Sequence, residues 1–186
     1  QPLRGMQLGY GPMQNTYDAW GVEQYERYIR ELVFFGMNAV ECVSPMTTRI
    51  GSGNDLMRMS RTEMNAHLSE VCAQYDIALW LFAPALVDLS DARERRRLLT
   101  AHEAFYRSAA RIDAVFVPGG DPGHNDPREL MPFLRELSEL VATYHPDAAV
   151  WFSMQKYEPD KAEWTFDYLN EHQPDWIGGV VAGPWD

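Results

Sequence analysis

Apolar residues recur along this chain in two alternating patterns, short runs with period 2 or no period and longer runs with period near 3.6. Arg4–Tyr10 reads as a strand. After a Gly/Pro/Asn-rich loop, Val22, Tyr25, Ile29, Leu32 and Val33 share one face of a helix that Gly36 ends. Met37–Val43 is the second strand. Past a polar loop with Gly51, Gly53 and Asn54, Ser60 and Glu63 have the spacing of a capping box and open the second helix. Ile77–Ala83 is the third strand, and Asp91–Ala110 the third helix, whose run RERRR reads as a solvated face. Asp113–Val117 is a strand that breaks into PGGDPGHNDP, and Pro127 starts a helix running to about Tyr144. Ala148–Met154, Lys161–Glu171 and Ile177–Ala182 complete the series as strand, helix and strand.

The predicted strands start near residues 4, 37, 77, 113, 148 and 177, a βα repeat of about 35 residues. Strands alternating with helices at this spacing imply right-handed crossovers and a parallel sheet, which places the chain in the α/β class. A doubly wound sheet and a (β/α)8 TIM barrel both satisfy the repeat. No loop carries a glycine fingerprint of the GxGxxG kind, and the unusual residues follow strands instead of preceding them, which favours the barrel. Eight such units would need about 280 residues, in the range of a typical barrel of about 250. The expectation is therefore an incomplete barrel of six strands and five helices filling residues 1–186, with unpaired sheet edges that favour aggregation of the isolated chain. The start at Gln1 and the stop at Gly-Pro-Trp-Asp also read as those of a piece of a longer protein.

Composition narrows the function. Sixteen Lys and Arg against 27 Asp and Glu leave a net charge of −11, a field that repels phosphate backbones and anionic lipid. No apolar run approaches the roughly 20 residues of a membrane-spanning helix. Nucleic acid and membrane are thus poor partners for it. Cys42 and Cys72 both sit inside apolar patterns and read as buried free thiols.

In a barrel, alternate strand residues point inward and chemistry gathers at the C-terminal strand ends. Parity puts Glu41 with Ala39 and Val43, and a carboxylate facing the helix layer unpaired would be costly, so Glu41 should face the barrel mouth. Parity likewise groups Ser153, Gln155 and Tyr157 with Trp151. Asp121, in PGGDPGH after the fourth strand, is either a rim carboxylate or a turn residue bonded to its own backbone. His124 lies three residues on, as a substrate contact or a plain loop histidine. Tyr10, Tyr17, Trp20, Trp80, Phe82, Tyr157 and Trp185 fall in or after strands or in the first loop, and flat rings with polar handles suit sugar rings. Gln7, Asn15 and Gln155 supply neutral hydrogen bonds. An acidic, aromatic cleft is what glycosidases use, with two carboxylates flanking the bond to be cut.

The stretches RGMQLGYGPMQNTYDAW, YERYIRELVFFGMNAVE and IDAVFVPGGDPGHNDP resemble the barrel of a group of bacterial glycoside-hydrolase-like proteins related to β-N-acetylhexosaminidases and α-glucuronidases. The resemblance runs through most of the chain and implies a sugar substrate and a carboxylate acid after strand four. Hexosaminidases place an Asp-Glu pair there, whereas Asp121 is followed by Pro122. On this reading Asp121 is the general acid, and Glu41 or Asp186 the second carboxylate or a substrate contact. Gln7, Tyr10, Trp80, His124, Gln155, Tyr157 and Trp185 are the sugar-contacting set, and the chemistry calls for no cofactor or metal. The alternatives are a non-catalytic carbohydrate-binding barrel and a metal-dependent sugar isomerase with Glu41, Asp121 and His124 as ligands.

Overall fold

A computed structural model describes residues 2–10, 17, 19–46 and 55–182. Six strands and five helices alternate: β1 Gly5–Leu8, α1 Val22–Phe34, β2 Ala39–Val43, α2 Arg61–Gln74, β3 Ala78–Phe82, α3 Ala92–Ser108, β4 Ala114–Pro118, α4 Pro127–Tyr144, β5 Ala149–Ser153, α5 Pro159–His172 and β6 Ile177–Val180. Each element expected from the apolar pattern is present, with ends moved by at most two residues. The chain folds as two compact units, residues 1–82 with 104–113, and residues 83–103 with 114–186.

In the first unit β1, β2 and β3 pair in parallel. On this sheet the alternate residues Leu8, Val40, Cys42, Leu79 and Leu81 are buried, as are Tyr25 and Ile29 of α1 and Met64, Leu68 and Cys72 of α2. Glu41, Val43, Trp80 and Phe82 occupy the other parity and are half-buried. Ser60 caps α2 as expected: its Oγ accepts from the Glu63 N–H at 3.2 Å, and the Glu63 carboxylate accepts from the Ser60 N–H at 2.9 Å. Both thiols are free and buried, and burial pushes that of Cys72 up to about 12. At the opposite strand ends Arg111 bridges Asp113 (2.7 Å) and Asp76 (2.8 Å), while Asp113 accepts the Leu79 N–H at 2.7 Å.

In the second unit β4 pairs with β5 and β5 with β6, again in parallel. Val115, Val117, Val150 and Phe152 pack against the apolar stripe of α4 formed by Leu130, Phe133, Leu134, Leu137 and Val141. Asp126 caps α4 through the Arg128 N–H at 3.0 Å, with Pro127 in the first turn. Trp151 lies across β6, where the indole fills the space that side chains at Gly178 and Gly179 would need.

His102 on α3 is 1% exposed, and burial pushes its imidazole down to about 3 from an ordinary value of 6.5. Below pH 6.5 the unfolded chain takes up a proton that the folded chain refuses, so stability falls with pH until about pH 3. The slope is about 1.4 kcal/mol per pH unit. Urea unfolding should show a loss of about 2–3 kcal/mol between pH 6.5 and 4.5 that His102→Gln largely removes. Equal slopes for the two proteins would show that this imidazole is not the acid-sensitive group.

Candidate active site

Three of the sequence-derived site residues meet in one register row of the first unit. Gln7 pairs with Glu41, and Glu41 with Trp80, on adjacent strands. Same-row neighbours on one face lie within side-chain reach, and the Gln7 amide Nε2 donates to Glu41 Oε2 at 2.7 Å. Burial raises the Glu41 carboxyl above the ordinary carboxylate range, and the Gln7 bond offsets only part of this. Glu41 has no ion pair among the described residues. A carboxyl in such surroundings holds its proton more readily than one in water.

Tyr10 takes a different place. It is 3% exposed, its hydroxyl donates to the Met59 carbonyl and accepts from the Met59 N–H, both at 3.2 Å, and its ring meets Tyr25 edge-on. Its surroundings are those of a core strut. Tyr17 and Trp20, in the first βα loop as expected, stack at 4.2 Å. Trp20 is also edge-on to Tyr28, where Trp20, Gln24, Arg27, Tyr28 and Glu31 line a cavity of about 260 Å³. Tyr25 on α1 directs its hydroxyl to the carbonyls of Gly9 (2.7 Å) and Tyr17 (3.1 Å).

In the second unit the loops after β4 and β5 bring together a separate group of sequence-derived site residues. Gly119 and Gly120 continue β4 directly. A side chain at Gly119 would strike the Tyr157 hydroxyl and the Ser153 carbonyl, and one at Gly120 would strike the Gln155 carbonyl. The Pro-Gly-Gly of the motif thus exists because two backbones pass in close contact, the Gly119 N–H donating to the Ser153 carbonyl at 3.1 Å. Asp121 then projects at the rim, where its Oδ2 lies 2.7 Å from Lys156 Nζ. The turn closes with Gly123 at φ 135° and His124 at φ 55°. The His124 N–H donates to the Gly120 carbonyl at 2.9 Å while its side chain is exposed. Buried Asn125 holds the loop inward by donating to the Ala85 carbonyl at 3.0 Å.

Two hydroxyls at this junction, Ser153 Oγ and Tyr157 Oη, are buried without a hydrogen-bond partner among the described residues. Burial, with the Asp126 carboxylate adding to it, raises the Tyr157 phenol, so it stays protonated and able to donate. Buried hydroxyls of this kind usually serve a water or a ligand. Gln155 contributes through its backbone carbonyl against Gly120. Ser153 was grouped with the inward row by parity, but nothing in the sequence marked it as an orphaned hydroxyl. Asn15, Trp185 and Asp186 lie outside the described residues. Among the described residues no three or more His, Cys, Asp or Glu side chains gather where they could hold a metal ion, so the ligand set Glu41, Asp121 and His124 is not formed there. No described helix is long and apolar enough to cross a membrane.

Similarity to known proteins is confined to the fold. No family model matches the chain, and no curated protein matches it in sequence. Among solved structures, the chain is similar to a β-hexosaminidase from Streptomyces plicatus (TM-score 0.58, 9% identity, 96% of this chain and 47% of that one). It is also similar to an α-L-fucosidase from Vibrio sp. strain EJY3 (TM-score 0.54, 14% identity, 94% and 31%). A β-glucuronidase from Bacteroides uniformis gives TM-score 0.51 at 12% identity, with 96% and 20% covered. The chain therefore shares a TIM-barrel-type (β/α) fold with these solved structures, represented by six strands and five helices. It spans about half the length, or less, of these three proteins.

Proposed function

We propose that the protein is a glycosidase of the bacterial barrel group its sequence resembles, acting on an oligo- or polysaccharide with the Glu41 and Asp121 carboxyls. The observation that carries this reading is the buried carboxyl of Glu41, held by Gln7 in the strand row that also contains Trp80. Burial favours its protonated form. A carboxyl that keeps its proton is what acid-assisted glycoside cleavage requires. In this assignment Glu41 gives a proton to the leaving oxygen, with Gln7 fixing its orientation, and Asp121 is the second carboxylate. The sequence alone pointed to Asp121 as the acid, and Asp121 is paired with Lys156 at 2.7 Å.

Trp80, in the Glu41 row, and Trp151, half-buried on β5, offer aromatic surface to sugar C–H faces. Tyr157 and Ser153 offer hydroxyls, and Gln155 and exposed His124 stand beside them as further sugar contacts. A panel of neutral, uronic and N-acetylated oligosaccharides tests the reading, scored by released reducing ends and by tryptophan fluorescence. Cleavage of one class with a fluorescence change is the expected result. Binding without cleavage supports the carbohydrate-binding alternative, and silence in both assays refutes a carbohydrate function.

A further inference from the structure

The basic run in α3 and the acidic face of α5 belong to the same unit, and neither takes part in the site above. Arg93, Arg96, Arg97 and Thr100 follow one another at helical spacings of three, one and three residues, so they form one exposed stripe. With Ala92 they line a cavity of about 570 Å³. Their neighbour Arg95 turns away to Glu136 at 3.5 Å, but Arg93, Arg96 and Arg97 have no ion pair among the described residues. In a chain of net charge −11 these unpaired arginines form a local positive stripe.

Helix α5 carries an acidic counterpart. Asp160, Glu163, Asp167 and Glu171 recur once per turn, all exposed and all without an ion pair among the described residues. Beside them Phe166 is 52% exposed, an apolar group that suits a trough walled by Ala92 and arginine stems. The spacing also matches, since Arg93 and Arg97 are four residues apart, as are Glu163 and Asp167.

We propose that the protein associates with a second copy of itself by laying the acidic stripe of α5 on the arginine stripe of α3. Two different surfaces meet, so the contact is heterologous and propagates as a ring or an open chain unless geometry stops it. At about 0.1 M salt the Debye length is near 10 Å, so facing stripes attract while the remaining charge of each copy is largely screened. Contacts of this kind are weak and lose strength at high salt.

Sedimentation velocity of the full chain provides the test. The weight-average mass should rise with protein concentration at 100 mM NaCl and return to that of the monomer at 500 mM. Arg93→Glu with Arg97→Glu should stay monomeric at both salts, and so should Glu163→Arg with Asp167→Arg. Mixing these two double variants should restore association, because the arginines on one α5 then face the glutamates on the other α3. Restoration also shows that both variants are folded. A monomeric wild type at 100 mM, association that either double variant leaves unchanged, or a mixture that stays monomeric would each overturn the proposal. Association that persists at 500 mM would assign the contact to apolar surface instead.

Discussion

Glu41→Gln is expected to lower turnover of unactivated glycosides by about 10²–10⁴-fold, the usual contribution of a positioned acid. The amide keeps the size of the side chain and a hydrogen bond with Gln7, whose 2.7 Å contact fixes the carboxyl, so the fold should survive. Substrates with a good leaving group need little protonation and should lose much less. Asp121→Asn should behave differently, since it removes the partner of Lys156 and leaves no proton donor to be bypassed. Its loss should be of about 10²-fold or more for good and poor leaving groups alike. Comparing the two leaving-group series decides the assignment, and rescue of Asp121→Asn alone by good leaving groups would return the acid to Asp121. The Glu41 carboxyl also has a signature apart from catalysis. A group raised by burial stabilises the fold below its ordinary range and loses that contribution as pH rises through its folded value. Glu41→Gln should therefore gain stability relative to wild type as pH rises from the ordinary carboxyl value through the folded one, with no pH-dependent difference below the ordinary value.

Gly120→Ala should be the most damaging single-methyl change in the loop that carries Asp121. The added Cβ would run into the Gln155 carbonyl, and a backbone atom of the facing loop cannot swing aside as a side-chain tip can. Overpacking of this kind costs about 1–3 kcal/mol or more. The movement that relieves it also separates Asp121 from Lys156, so activity should fall beyond what the lost stability explains. Gly36→Ala is the control with the opposite cause: its Cβ meets nothing within 4 Å, but φ is 86°. Strain there should cost about 1 kcal/mol and leave activity untouched. Urea midpoints and turnover of the two variants separate a steric clash in the site from a backbone preference far from it.

The order of elements was legible because each is written in local periodicity: Val40 and Cys42 alternate with Glu41, and Leu130, Leu134, Leu137 and Val141 recur at helical spacing. Those patterns, the Ser60 capping box and the Asp126-Pro127 helix start depend on neighbours a few residues away. The sequence by itself therefore determined strand and helix, parity, and with parity the half-buried position of Glu41. Partners far along the chain were not written there. That Gln7 shares a row with Glu41 and Trp80 follows from strand register, which joins positions more than 30 residues apart. That Tyr10 is a core strut depends on Met59 and Tyr25, and that Lys156 pairs with Asp121 and that two glycines of PGGDPGH serve the passage of a second loop depend on which backbones come together after β4 and β5. Local pattern fixes which face a side chain shows, but only the packed chain sets the charge or carbonyl that meets it, and that meeting decides the protonation state on which the chemistry rests.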